Sequence, residues 1–238
     1  YYNQHFRKDS SSNYSFENVA IAPGGRSALT RVCACLKNIN LGHFLPDYTA
    51  YEEVLDLFKN FHPIPILANS ENNYSLSLKD LEKEISGRGL SALLFSNPCN
   101  PTGKLLAGEE LEDWVGLARK MHCTLICDEV YNHYIWQEDL EKQQKPARIS
   151  AASHIKDIEK DEVLIIDGLT KNWRYPGWRI GWALGPSKII KSIISAGSFL
   201  DGGASHPMQE LALEVMREES SDLNFINMQK VFYEKRNF

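Results

Sequence analysis

The sequence predicts an α/β protein built on a mainly parallel sheet with helices on both faces. Three observations lead there. Short apolar runs of strand length alternate along the chain with segments of helical periodicity. Several of those runs are apolar throughout, as strands covered on both faces are. Polar clusters follow the runs, where open α/β sheets place their ligands.

The opening stretch through Glu17 is polar and rich in Ser and Asn, and reads as a loop or the tail of a preceding element. A strand at 18–22 turns through Pro23, Gly24 and Gly25 into a helix marked by Ala28, Leu29, Val32, Cys33 and Leu36. A short strand at 43–45, an amphipathic helix at 51–58 and a strand at 64–67 follow. Ser77 and Asp80 then form a capping pattern before Leu81 and Ile85. The run 90–95 is a buried strand, and the helix from about 109 to 121 presents Leu111, Trp114, Val115 and Ala118 on one side. A second buried strand occupies 124–127. Residues 137–162 carry charges of both signs and Pro146, and are expected to form an exposed excursion with one short helix. The core resumes at 163–166 and at 182–185, followed by helices at 187–198 and 208–216. The boundaries this suggests are a polar lead-in at 1–17, a main domain at 18–216 and the start of a long helix at 217–238.

A chain of 238 residues, 43% hydrophobic and 24% charged, can bury the core of one large domain. The formal net charge of −5 gives no electrostatic support for a nucleic-acid or membrane-surface partner. No apolar run reaches bilayer length. The cysteine count of five is odd, and most of these residues lie in apolar stretches, which reads as reduced, buried thiols and a cytoplasmic location. The first residue is Tyr1, so a preceding targeting signal stays open.

Four clusters stand beside predicted strand ends. They are Pro23 to Ser27, Asn97 to Gly103, Asp128 to Tyr131, and Gly168 to Arg179. The first places free backbone N–H groups at a helix start, which favours an anion such as phosphate, although a Gly-Gly turn there is also ordinary turn chemistry. Neither the dinucleotide fingerprint nor the P-loop pattern is found around it.

Three pieces together carry a family resemblance: Asn97-Pro98-x-Asn100-Pro101-Thr102-Gly103, Asp128-x-x-Tyr131, and Lys171 followed eight residues later by Arg179 in Gly-Trp-Arg-Ile-Gly-Trp. In order and spacing they resemble the large domain of the pyridoxal-phosphate-dependent aminotransferases of fold type I, class I/II. The resemblance implies a three-layer α/β/α domain with a mixed, mainly parallel, seven-stranded sheet. It also implies pyridoxal 5′-phosphate as cofactor, an amino acid and a 2-oxo acid as substrates, and a homodimer.

On that resemblance Lys171 is the amine that forms the Schiff base. Its place after an apolar strand, in a loop rich in glycine and tryptophan, suggests burial that would make the amine nucleophilic. Freed, it would move a proton between the substrate's Cα and the cofactor's C4′ carbon. Asp128 would pair with the protonated pyridine nitrogen, and as a buried carboxylate it needs a cationic partner. Tyr131 and Asn100 would hydrogen-bond the cofactor's 3′ oxygen. Arg179 would grip the phosphate in a bidentate fork, with Thr170 and the backbone donors of Gly24, Gly25 and Arg26. Tyr48 matches the aromatic that stacks on the ring, and Ser205 resembles a segment reaching a neighbouring subunit's phosphate.

The chain departs from the family pattern in places. Gly168 stands where a hydroxyl residue is common, so one phosphate contact is expected to be lost. Arg26 stands where a small polar residue is common, and its side chain is expected to point away while its N–H serves. The chain stops about where a long helix would enter a smaller domain bearing the arginine for the substrate's α-carboxylate. The same scaffold also supports lyase or synthase chemistry, such as C–S lysis or aminocyclopropane-carboxylate synthesis, and non-catalytic sensor domains.

Overall fold

The computed structural model of the chain describes residues 1–135 and 145–237. In chain order the elements are α1 (Tyr2–Phe6), β1 (Val19–Ala22), α2 (Gly25–Cys35), β2 (Asn40–Leu45), α3 (Ala50–Leu57), β3 (His62–Leu67), α4 (Leu78–Arg88), β4 (Leu90–Ser96), α5 (Gly108–Met121), β5 (Thr124–Asp128), β6 (Val163–Gly168), β7 (Gly181–Leu184), α6 (Ser187–Leu200), α7 (His206–Val215) and α8 (Glu218–Asn237). The seven strands form one sheet in the order β1-β7-β6-β5-β4-β2-β3. All pairs are parallel except those of β7, which runs antiparallel to both β6 and β1.

The apolar runs read as strands because both faces of the sheet are covered. Along β4, Leu93 and Phe95 enter a core with Leu81 and Ile85 of α4 and Trp114 of α5. Ala92 and Leu94 enter the opposite core, with Val32 of α2, Val54 of α3 and Ile193 of α6. All of these apolar side chains are nearly or fully inaccessible, and burying a Leu, Ile, Val or Phe stabilises the fold by roughly 1.5–3 kcal/mol. Ser77 caps α4 as its spacing predicts, accepting the N–H of Asp80 at 3.1 Å, and Gly89 closes the helix in the left-handed region at φ +58°.

Two sequence expectations are corrected. The opening stretch is anchored rather than loose: Tyr2 in α1 donates to Asp167 at 2.9 Å, and the buried Arg7 donates to the carbonyls of Ala152 and Ile155 at 2.7 and 2.8 Å. For the same reason the second half of the expected exposed excursion is packed. Ala151, Ala152, Ile155 and Ile158 are buried, Asp161 is held by a two-pronged contact from Arg119 of α5, and the only regular piece among the described residues there is a 3₁₀ turn at Ala151–His154. The first part of the excursion lies outside the described residues. All five cysteines are free, but Cys35 and Cys99 are half-buried rather than buried.

Gly181 sets how closely helix and sheet approach. It pairs with Ala22 on one side and Gly168 on the other, and a Cβ there would lie 2.4 Å from the backbone nitrogen of Gly25. The α2 N-terminus can rest on the sheet only because this position has no side chain. Gly181→Ala is therefore expected to cost about 1–3 kcal/mol of stability, read as a lower midpoint in chemical denaturation. An unchanged midpoint would contradict this close packing.

Candidate active site

β4, β5 and β6 are parallel, so Ser96, Asp128 and Gly168, their last residues, end at one edge of the sheet. β7 runs the other way and begins at that edge, and the turn from β1 into α2 leaves from it. All four polar clusters meet there by topology.

The anion-binding features come together closely. Gly24 takes φ +94°, which an L side chain rarely adopts, and a Cβ on it would lie 2.3 Å from Nη2 of Arg179. The Arg179 guanidinium lies against the glycine turn, donating to the carbonyls of Pro23 at 3.1 Å and Pro176 at 3.0 Å. No side chain caps α2, so the N–H groups of Gly25, Arg26 and Ser27 face outward without intrahelical acceptors. A guanidinium beside a bare helix N-terminus suits a phosphate. Thr170 is half-buried in the adjoining loop. The glycine at 168 has a structural cause: a Cβ there would lie 2.7 Å from the carbonyl oxygen of Ile180, so no hydroxyl side chain fits.

Asp128 is 8% exposed and buried at the end of β5, where it accepts the hydroxyl of Tyr51 at 2.8 Å. Burial pushes its carboxyl up to about 6, against the pull of the Tyr51 hydrogen bond. Tyr51, in the first turn of α3, meets Tyr48 edge-on with centroids 5.5 Å apart. The side chain of Arg26 does not point away as expected. It donates to the Tyr48 hydroxyl at 2.9 Å, and this bond raises its pKa. Tyr48 is thus tied to the helix N-terminus as well as to α3.

Lys171 is exposed, which corrects the expected burial. Its Nζ lies 5.7 Å from the ring centroid of Tyr131, and its carbonyl accepts the Tyr134 hydroxyl at 3.0 Å. What is buried is its neighbour. Asn172 donates to Asn132 Oδ1 at 2.8 Å and Asp167 Oδ1 at 2.9 Å, and accepts the N–H of His133 at 3.2 Å. That side chain clamps the lysine loop to the turn carrying Tyr131. Asn100 is half-buried, and its N–H donates to the Ser96 hydroxyl at 3.0 Å. Asn97 pins the same loop by exchanging two bonds with the backbone of Leu106. Ser205 is exposed at the start of α7, does not cap it, and is not joined by any described contact to the other site residues.

Sequence reasoning missed Asp47, Tyr51, Ser96, Asp167 and Asn172. Tyr51 alone left a signal, as the second tyrosine of the Pro46 to Tyr51 segment. The others act through partners distant in sequence.

The chain matches the aminotransferase class I and II family over residues 3–237 and belongs to it. It is 25% identical over 231 residues to an aspartate aminotransferase of Streptomyces avermitilis, covering 96% of this chain and 53% of that one. An aspartate aminotransferase of Bacillus sp. (strain YM-2) is 25% identical over 211 residues, covering 88% and 51%. The structure of the aspartate aminotransferase of Thermus thermophilus with maleate shares the fold at a TM-score of 0.82 and 23% identity, over 98% of this chain and 58% of that one. The chain spans about half the length of these curated relatives.

Glu129, behind the Asp128 turn, is fully buried, and burial pushes its carboxyl up to about 7, opposed by the N–H of Ala151 at 2.7 Å. The folded chain keeps this proton up to about pH 7, whereas the unfolded chain loses it near 4.5. The native state therefore binds more protons in that window, and stability falls as pH rises through it, by on the order of 3 kcal/mol. Glu129→Gln keeps the acceptor for Ala151 and is expected to flatten this slope in denaturation curves between pH 4.5 and 7. Equal slopes in the two proteins would rule out the buried proton.

Proposed function

We propose that this chain is the cofactor-binding part of a pyridoxal-phosphate-dependent aminotransferase that exchanges an amino group between an amino acid and a 2-oxo acid. The observation that carries the reading is the meeting, at one sheet edge, of three kinds of group: an amine beside a tyrosine, a buried carboxylate, and a bare helix N-terminus with an arginine. The donor set fits the cofactor's chemistry. When bound, the cofactor supplies an electron sink for the pair left at the substrate's Cα.

The residues of this chain do the rest. The N–H groups at 25–27 and Arg179 hold the phosphate, with Thr170 beside them. Asp128 would keep a proton on the ring nitrogen, the cation that its burial calls for. Tyr131 and Asn100 donate to the ring oxygen. Tyr48, fixed by Arg26 and Tyr51, offers its ring as a stacking face. The Lys171 amine would hold the cofactor at its aldehyde carbon with loss of water and, once displaced by the substrate's amine, would take the proton from the substrate's Cα at its Nζ. Exposed Phe199, Leu200 and Ile194 at the end of α6 support a homodimer, and the five unpaired thiols support a cytoplasmic setting.

Pyridoxal phosphate added to the purified protein is expected to give a pH-sensitive visible band that Lys171→Ala lacks. Borohydride should trap the adduct on the peptide bearing Lys171, and amino acids should bleach the band. No band in the folded protein, or a label on another lysine, contradicts the reading. Arg179→Ala is expected to weaken cofactor affinity tenfold or more, the loss of about 1.5–3 kcal/mol that charged hydrogen bonds carry. An unchanged dissociation constant would remove Arg179 from the phosphate site.

A further inference from the structure

Asp47 lies between β2 and α3 and is 6% exposed. A short polar residue just before a helix ordinarily caps it, but the N-cap of α3 is Thr49 and no side chain caps that helix. Asp47 instead reaches across to β4. Its Oδ2 accepts the N–H of Ser96 at 3.1 Å, its Oδ1 accepts the Ser96 hydroxyl, and Oδ1 also accepts the N–H of Tyr48 at 2.7 Å. Each of these partners donates, so the carboxyl acts only as an acceptor, the arrangement that suits its ionised form. Burial raises its proton affinity, and the hydrogen bonds from Ser96 and Tyr48 oppose that rise.

The Ser96 hydroxyl donates its hydrogen bond to Asp47 and keeps a lone pair free, which accepts the N–H of Asn100 at 3.0 Å. One buried carboxylate therefore holds two site residues that come from different strand ends, Tyr48 after β2 and Asn100 after β4. Asp47 also adds its charge to the surroundings of Asp128 and raises that carboxyl's proton affinity further. The same group thus acts on Tyr48, Asn100 and Asp128.

We propose that Asp47 is a positioning residue that, through the Ser96 hydroxyl, fixes Tyr48 and Asn100 relative to one another and so sets how the ring of a bound cofactor is held. The inference rests on the pyridoxal-phosphate reading above. It adds a residue whose part is played entirely through others.

The test uses the full chain loaded with pyridoxal phosphate, comparing wild type with Ser96→Ala, Asp47→Asn and Asp47→Ala. Ser96→Ala removes only the hydroxyl and keeps the carboxylate. Asp47→Asn keeps the shape but turns an amide N–H₂ toward groups that themselves donate. The readouts are the cofactor dissociation constant, the circular dichroism induced in the visible band, and the melting temperature without cofactor. Ser96→Ala and Asp47→Asn are each expected to raise the dissociation constant about fivefold or more and to weaken the induced signal in the same sense. Asp47→Ala should do so more strongly. Folded variants that keep the wild-type dissociation constant and induced signal overturn the proposal, even if their melting temperatures fall, because that pattern is purely structural. Where an Asp47 variant does not fold, Ser96→Ala decides alone. A wild-type protein with no visible band defeats the cofactor reading itself, and the inference falls with it; a normal wild-type band with unaffected variants defeats only the role of Asp47.

Discussion

A carboxylate carried into a protein interior needs compensation, and Asp128 is compensated only in part. It ends the central strand β5, with a tyrosine hydroxyl and the N–H of Val130 at 3.4 Å as its hydrogen-bond partners. The charge that bears on it, Asp47, has the same sign. Neutral donors soften the burial of an anion without cancelling its charge, which is why its carboxyl is pushed up to about 6. The sheet edge therefore favours the arrival of a cation at Asp128. Tyr51 bonds Asp128 directly and meets Tyr48, while Asp47 joins Tyr48 to Ser96, whose hydroxyl accepts the N–H of Asn100.

The opposite polarity is built a few strands away by backbone rather than by side chains. Gly181 has no Cβ to keep the start of α2 off the sheet, and Gly24 has none to keep Arg179 off the turn. The result is a bare helix N-terminus with a guanidinium against it, a place for an anion. A single ligand carrying a phosphate at one end and a basic ring nitrogen at the other would satisfy both ends of the edge. Lys171 is exposed over Tyr131 at the same edge, and Asn172 beside it ties its loop to the turn that carries Tyr131. Stability and function pull apart here, since Asp128, Glu129 and Asp167 are all carboxyls whose charged forms burial disfavours.

How far the sequence disclosed this depends on the range of the interactions. β4, β5 and β6 were legible because a strand covered on both faces must be apolar at every position, and α5 because one face alone is buried. β7 was read as a strand at 182–185, but its antiparallel direction was not legible, since direction leaves no mark in a short apolar run. α1 is too short for periodicity to show, and residues 150–161 were read as exposed because their charges outnumber the apolar groups that the core receives. Lys171, Asp128, Tyr131, Asn100 and Arg179 were singled out as candidates through motif spacing. Asp47, Ser96 and Asn172 were not, because what defines each is a partner on another strand, and an Asp before a helix or an Asn in a loop has a commoner local use. The expected burial of Lys171 failed for a related reason: the loop's apolar residue, Trp173, turns inward and leaves the lysine outside.

Asp128 is an under-compensated buried carboxyl, and in the proposed function a cationic ring nitrogen completes it. Carboxyl carbon NMR of the protein labelled at aspartate, with Asp128→Asn to assign the signal, measures this directly. A titration near 6 is expected without cofactor, displaced well downward when pyridoxal phosphate is bound. A titration in the ordinary aspartate range in the cofactor-free protein, or one that does not move on binding, would contradict it.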